Sequence, residues 1–223
     1  IIVILGDTGS GKSRAIKDLD PKETVLLTPN RKELPWKGSN KDYNEVLKNR
    51  FFCDSFAKAR AFIQNINDKK PEVKQIILDD ISHTFTSEQS AASFINNSAG
   101  GGFQKWQKLG MDVIHAIIET DKTLRPDLKI IILGHTDTDN NTGKLKMKVA
   151  GKLLEDHVQL PSYTNWCLIT DCVVTDGKPE YRFITNKDGS YLGSMAKSLE
   201  GALEMYEPNS LKVVLEKIDK YFE

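Results

Sequence analysis

The sequence predicts an α/β fold: a mostly parallel central sheet flanked by helices, with an antiparallel hairpin at one edge near the C-terminus. Three observations predict it. The apolar runs Ile1–Leu5, Gln75–Asp79 and Lys129–Gly134 lack the alternation of a half-exposed strand, so they read as strands buried on both faces. Helical patterns separate these strands. Beyond about Leu145 the pattern changes to extended segments around Asp176-Gly177, a dipeptide suited to a two-residue hairpin turn.

The elements follow in order. Ile1–Leu5 is a central parallel strand. Ser13–Leu19 is a first helix, ended by Asp20-Pro21. Thr24–Thr28 is a second strand, and Pro29 to about Asn44 is an irregular polar loop around Trp36. Phe51–Cys53 is a short strand. Ser55 caps a helix to about Ile66 whose buried face carries Phe56, Ala59, Phe62, Ile63 and Ile66. Gln75–Asp79 is a buried strand. A polar stretch from about Ser87 to Gly102 reads as mobile. A long helix then runs from Phe103 to about Leu124, before Arg125-Pro126, and Lys129–Gly134 is the next buried strand. Asn165–Thr175 and Glu180–Thr185 pair as a hairpin. A last helix, capped by Asn209 or Ser210, runs to about Phe222. Neither a repeat nor a long linker divides the chain, so residues 1–223 are read as one domain.

Bulk properties set limits. With 31 basic and 31 acidic residues the molecule has no net field, so a nucleic-acid contact would need a local patch. Apolar runs fall short of the roughly 18 residues that would span a bilayer, and a signal peptide is not visible. The expectation is a cytoplasmic protein without a membrane partner. The chain begins inside a strand at Ile1, so a few further residues are expected ahead of it. Cys53, Cys167 and Cys172 lack metal-type spacing and read as core filler in a reducing compartment.

Gly6-Asp7-Thr8-Gly9-Ser10-Gly11-Lys12-Ser13 follows the first strand directly and fits G-x-x-x-x-G-K-[ST]. This motif is specific for a nucleoside triphosphate. Its glycines let backbone N–H groups turn around the phosphates, Lys12 supplies charge at the β/γ oxygens, and the Ser13 hydroxyl can hold Mg²⁺. The helix expected at Ser13 would point its positive end at the anion. Gln75-Ile-Ile-Leu-Asp79-Asp80 places two carboxylates at a strand end. Asp79 is assigned to the Mg²⁺ shell, and Asp80 to orienting or deprotonating the attacking water. His135, at the end of Lys129–Gly134, could sense the γ-phosphate; the alternative is a structural histidine. His83, His115 and His157 are left as structural.

The order of these pieces resembles the bacteriophage RecA-like P-loop ATPases, AAA-type nucleotide-binding proteins linked to single-strand annealing and recombination. The resemblance rests on Gly6–Ser13, Ile76–Asp80, Phe103-Gln-Lys-Trp106, Ile130–His135, Val149-Ala-Gly-Lys152-Leu-Leu, the hairpin to Tyr181–Lys187, and Pro208-Asn-Ser-Leu211. It covers most of the chain. It implies a RecA-like core, ATP with Mg²⁺, self-association into a ring or filament, and action on single-stranded DNA in a host cell's cytoplasm. One departure matters. The family carries a catalytic glutamate just after the second strand, where this chain has Asn30, with Glu33 displaced. Either Asp80 or Glu33 does that work, or hydrolysis is slow.

The resemblance also implies that the loop after His135 contacts DNA. Lys144, Lys146 and Lys148 alternate, so on a strand they would share one side, and Lys152 follows. The alternative is a solvated strand face. Lys187 and Arg182 are candidates for a finger reaching a neighbouring subunit's ATP; the alternative is surface charge. Two other functions stay open: a small-molecule P-loop kinase, and a nucleotide-gated assembly protein with little hydrolysis.

Overall fold

The structure, a computed structural model, describes residues 1–91, 102–149 and 158–223. Among the described residues nine strands form one sheet: β1 (Ile2–Gly6), β2 (Thr24–Thr28), β3 (Arg50–Phe52), β4 (Gln75–Leu78), β5 (Lys129–Thr138), β6 (Leu145–Met147), β7 (Trp166–Thr175), β8 (Lys178–Ile184) and β9 (Tyr206–Pro208). Their order is β3-β2-β4-β5-β1-β7-β8-β9, with β6 added to the end of β5. The first six in that order are parallel, and β8, β9 and β6 pair antiparallel. The fold is thus α/β with a mixed, mostly parallel sheet and an antiparallel hairpin. The hairpin turn has φ of 51° at Asp176 and 73° at Gly177, the left-handed pair that a two-residue turn needs.

The helices are α1 (Ser39–Asp42), α2 (Phe56–Lys69), α3 (Ile81–Ser90), α4 (Gly102–Ile114) and α5 (Leu211–Tyr221). Successive residues of β1 feed opposite faces. Val3 and Leu5 join a core with α2, α3 and α4, whereas Ile2 and Ile4 join one with α5. Burial on both faces is why these strands carry no polar alternation. Ser55 caps α2, its Oγ accepting the Lys58 N–H at 3.3 Å, and such a cap contributes about 1 kcal/mol. Leu211, Val214, Leu215 and Ile218 form the buried stripe of α5. Ser210 stands at its N-cap but makes no side-chain cap bond. Among the described residues no helix is long and apolar enough to cross a membrane.

Several elements differ from expectation. In place of a helix over 13–19 the chain makes a short 3₁₀ turn, Ser13–Ile16. The bonds Lys17 N–H to Arg14 O and Leu19 N–H to Ile16 O keep three-residue spacing, which stacks Ile16 and Leu19 on one buried side. α3 occupies part of the stretch read as polar, because Ile81, Thr84 and Phe85 form a buried i, i+3, i+4 face. Residues 92–101 lie outside the described residues. The long helix ends in a π-helical segment, His115–Glu119. β5 continues past Gly134 to Thr138, held by β6.

Candidate nucleotide site at the strand ends

The parallel register decides which residues meet. Gly6 of β1 lies beside His135 of β5, and β5 separates β1 from β4, which leads into Asp79 and Asp80. Lys12, Ser13, Asp79, Asp80 and His135 therefore converge at the carboxyl ends of three adjacent strands, where α/β folds bind ligands.

Gly9 and Gly11 have φ of +81° and +102°, conformations that L side chains rarely adopt. Gly6 is required by packing instead: a Cβ there would sit 2.0 Å from Thr170 Oγ1. Asp7, Thr8 and Gly9 are exposed. The loop is tied on two sides. Thr136 Oγ1 donates to Asp7 Oδ1 at 2.8 Å, and the Ser10 and Thr170 hydroxyls lie 2.6 Å apart. The N–H groups of Gly9, Gly11 and Lys12 donate to no acceptor among the described residues, which leaves them available to an anion. With a 3₁₀ turn of four residues in place of a helix, an anion here would be held by loop N–H groups and Lys12 rather than by a helix dipole.

Lys12 is 9% exposed. Its Nζ donates to Gly6 O at 2.8 Å and Asp7 O at 2.7 Å, and lies 3.4 Å from His135 Nδ1. Three donors thus meet three acceptors. An accepting Nδ1 puts the imidazole proton on Nε2, which faces Asp80 Oδ1 at 3.5 Å. Burial lowers the Lys12 pKa to about 8, against the partial support of Asp80, Asp79 and Asp7. Burial, and then the Lys12 charge, also lower that of His135, so the ring is neutral at physiological pH.

Ser13 Oγ donates to Asp79 Oδ1 at 3.2 Å. Burial and the neighbouring Asp80 raise the Asp79 pKa, a carboxyl short of positive charge. A hydroxyl beside a carboxylate fits a hard cation, and Ser13 and Asp79 are the residues that would hold Mg²⁺ here. Asp80 adopts a left-handed conformation, φ 55° and ψ 53°, at the start of α3, which directs its carboxylate toward His135. Its other oxygen lies 4.0 Å from His83 Nδ1, a histidine that sequence reasoning set aside.

Other expected residues fall elsewhere. Glu33 is exposed and lines a recess of about 250 Å³ with Asn30, Arg31 and Arg50, beside β2 and β3. Lys144, Lys146 and Lys148 alternate with the buried Leu145, Met147 and Val149, so the three share the outer side of the β6 segment as expected. Lys152 lies outside the described residues. Arg182 is held by Asp171, with nitrogens at 2.9 and 2.8 Å, and stacks on Tyr206 at 4.2 Å; Lys187 is exposed past β8. Trp36 meets Tyr43 edge-on at 6.1 Å and packs against the core. Cys53 and Cys167 are buried, and burial pushes their thiols up to about 11 and about 12. Thr136, Thr170 and Ser82 were not foreseen. Ser82 Oγ accepts the His135 N–H at 3.1 Å and donates to Lys148 O at 3.0 Å.

No protein-family model matches the sequence, and no curated protein matches it.

Proposed function

We propose that this chain is a Mg²⁺-dependent ATPase with a RecA-like P-loop core, acting on single-stranded DNA. The observation that carries the reading is the Ser13–Asp79 hydrogen bond beside Lys12 and His135. A phosphate-loop hydroxyl, a strand-end carboxylate, a buried ammonium and a neutral imidazole are the groups that position and neutralise a transferring phosphoryl. Mg²⁺ would supply charge neutralisation at the phosphate oxygens. Lys12 would exchange its loop carbonyls for phosphate oxygens, Asp80 would orient the attacking water, and His135 would register the γ-phosphate. The position of β5 between β1 and β4 supports the RecA-like assignment.

Action on DNA rests on the three lysines and on their wiring to the site. Lys148 N–H donates to His135 O at 2.8 Å, and Ser82 bridges the same two residues. A change at His135 would thereby reach the lysine-bearing strand. Self-association, with Lys187 reaching a neighbour's ATP, belongs to the same proposal; Arg182 would first have to leave Asp171. The displacement of Glu33 into a separate recess favours a second reading, a nucleotide-gated assembly protein that hydrolyses ATP slowly.

ATP turnover measured with and without single-stranded oligonucleotide tests the proposal. Stimulated turnover that Asp80→Asn lowers at least tenfold, with Mg²⁺–ATP still bound, is expected. Binding without turnover favours the second reading. Absence of DNA binding and of stimulation removes the DNA assignment.

A further inference from the structure

A group of side chains lies on the flank of the phosphate loop opposite β5. Arg14 follows Ser13, Tyr181 stands on β8, and Asn209 follows β9. A Cβ on Gly11 would come within 2.8 Å of Tyr181 Cδ1 and 3.2 Å of both amide atoms of Asn209, so the three flank the loop directly. The exposed Arg14 guanidinium lies 5.0 Å from the Tyr181 ring centroid, and its Nη1 reaches Asn209 Oδ1 at 3.5 Å. Asn209 is only 5% exposed, yet its Nδ2 has no partner among the described residues. A buried amide donor left unpaired is costly, and a bond to a ligand would remove that cost.

We propose that Arg14, Tyr181 and Asn209 form a subsite for a purine nucleoside, on the reading that the adjoining loop holds the triphosphate. The phenol ring and the guanidinium plane are the stacking surfaces, and a two-ring base covers more of them than a pyrimidine does. The Asn209 amide N–H donates to an acceptor on the base or sugar. Its Oδ1, oriented by Arg14, stays available to an N–H donor. An aromatic ring beside an amide that offers both a donor and an acceptor is the chemistry of base recognition. Because Arg14 adjoins Ser13 in the chain, a base stacked here and phosphates in the loop belong to one ligand.

Binding of Mg²⁺ complexes of ATP, GTP, CTP, UTP and inorganic tripolyphosphate, measured by calorimetry, tests this. ATP and GTP should bind about tenfold or more tightly than CTP, UTP and tripolyphosphate. Tyr181→Ala and Asn209→Ala should erase that preference, and Tyr181→Phe should keep it. Equal affinity of the wild-type protein for ATP, CTP and tripolyphosphate would overturn the subsite while leaving the phosphate loop intact. A preference that survives both alanine variants would also overturn it. If wild-type protein binds none of these ligands, the phosphate-loop reading fails and takes the subsite with it. Thermal melts identify a variant that does not fold, and the wild-type comparison then decides alone.

Discussion

Lys12 shows how one residue reports on its surroundings. Its ammonium is buried among loop carbonyls, and desolvation brings its pKa from 10.5 to about 8. Between those two values the unfolded chain holds a proton that the folded one has lost. Folding stability from this group therefore rises with pH through that window. A bound polyphosphate acts in the opposite direction, because its negative charge restores the ammonium. Nucleotide binding at pH 9 should thus take up close to one proton per site, and affinity should fall as pH rises above 8, by at most about tenfold per unit. Calorimetry at pH 9 in two buffers of different ionisation enthalpy reads this directly; the same heat in both buffers contradicts it. Asp80 carries a different signal. A non-glycine residue at φ 55° costs about 1 kcal/mol or more, and here that geometry turns the carboxylate toward His135.

At the scale of elements, the loop from Gly6 to Ser13 holds glycines for two distinct reasons, and substitution separates them. A Cβ on Gly9 would meet nothing within 4 Å, whereas one on Gly11 would meet Tyr181 at 2.8 Å. Gly9→Ala should cost only the left-handed backbone penalty, about 1–2 kcal/mol. Gly11→Ala should melt at a still lower temperature; equal melting points contradict the packing role. The glycine turns between Gly6 and Ser13, the strand-end placing of Asp79 and Asp80 and the hairpin turn were legible in the sequence because each is a local pattern. So was the inward–outward alternation of Lys144 to Val149. The first helix was misjudged because tertiary burial of Ile16 and Leu19 selected a tighter turn than propensity suggests. α3 carried a readable signal in Ile81, Thr84 and Phe85, hidden by its polar surroundings. The roles of Thr136, Thr170, Tyr181 and Asn209 were not legible. They depend on which strands lie side by side, and that is a long-range property of the sheet.

For the whole molecule, balanced charge means that the proposed DNA contact needs a local patch, and the outer side of the β6 segment is the candidate. Three lysine–phosphate contacts on a single strand would give a log–log salt slope of about −2. The combined change Lys144→Gln, Lys146→Gln and Lys148→Gln should flatten the slope by that amount and leave Mg²⁺–ATP affinity in place. An unchanged slope would assign the DNA contact elsewhere. Ser82 and the Lys148–His135 hydrogen bond join the candidate nucleotide site to the adjoining lysine-bearing strand, and the proposed coupling would run through them. All of this depends on the loop from Gly6 to Ser13 holding a polyphosphate. The most direct measurement is calorimetric titration of Mg²⁺–ATP into the wild-type protein and into Lys12→Ala. The account predicts saturable, magnesium-dependent binding that the substitution weakens at least a hundredfold, about 2.7 kcal/mol, with the fold intact. Absence of binding by the folded wild-type protein, or equal binding by both proteins, would contradict it.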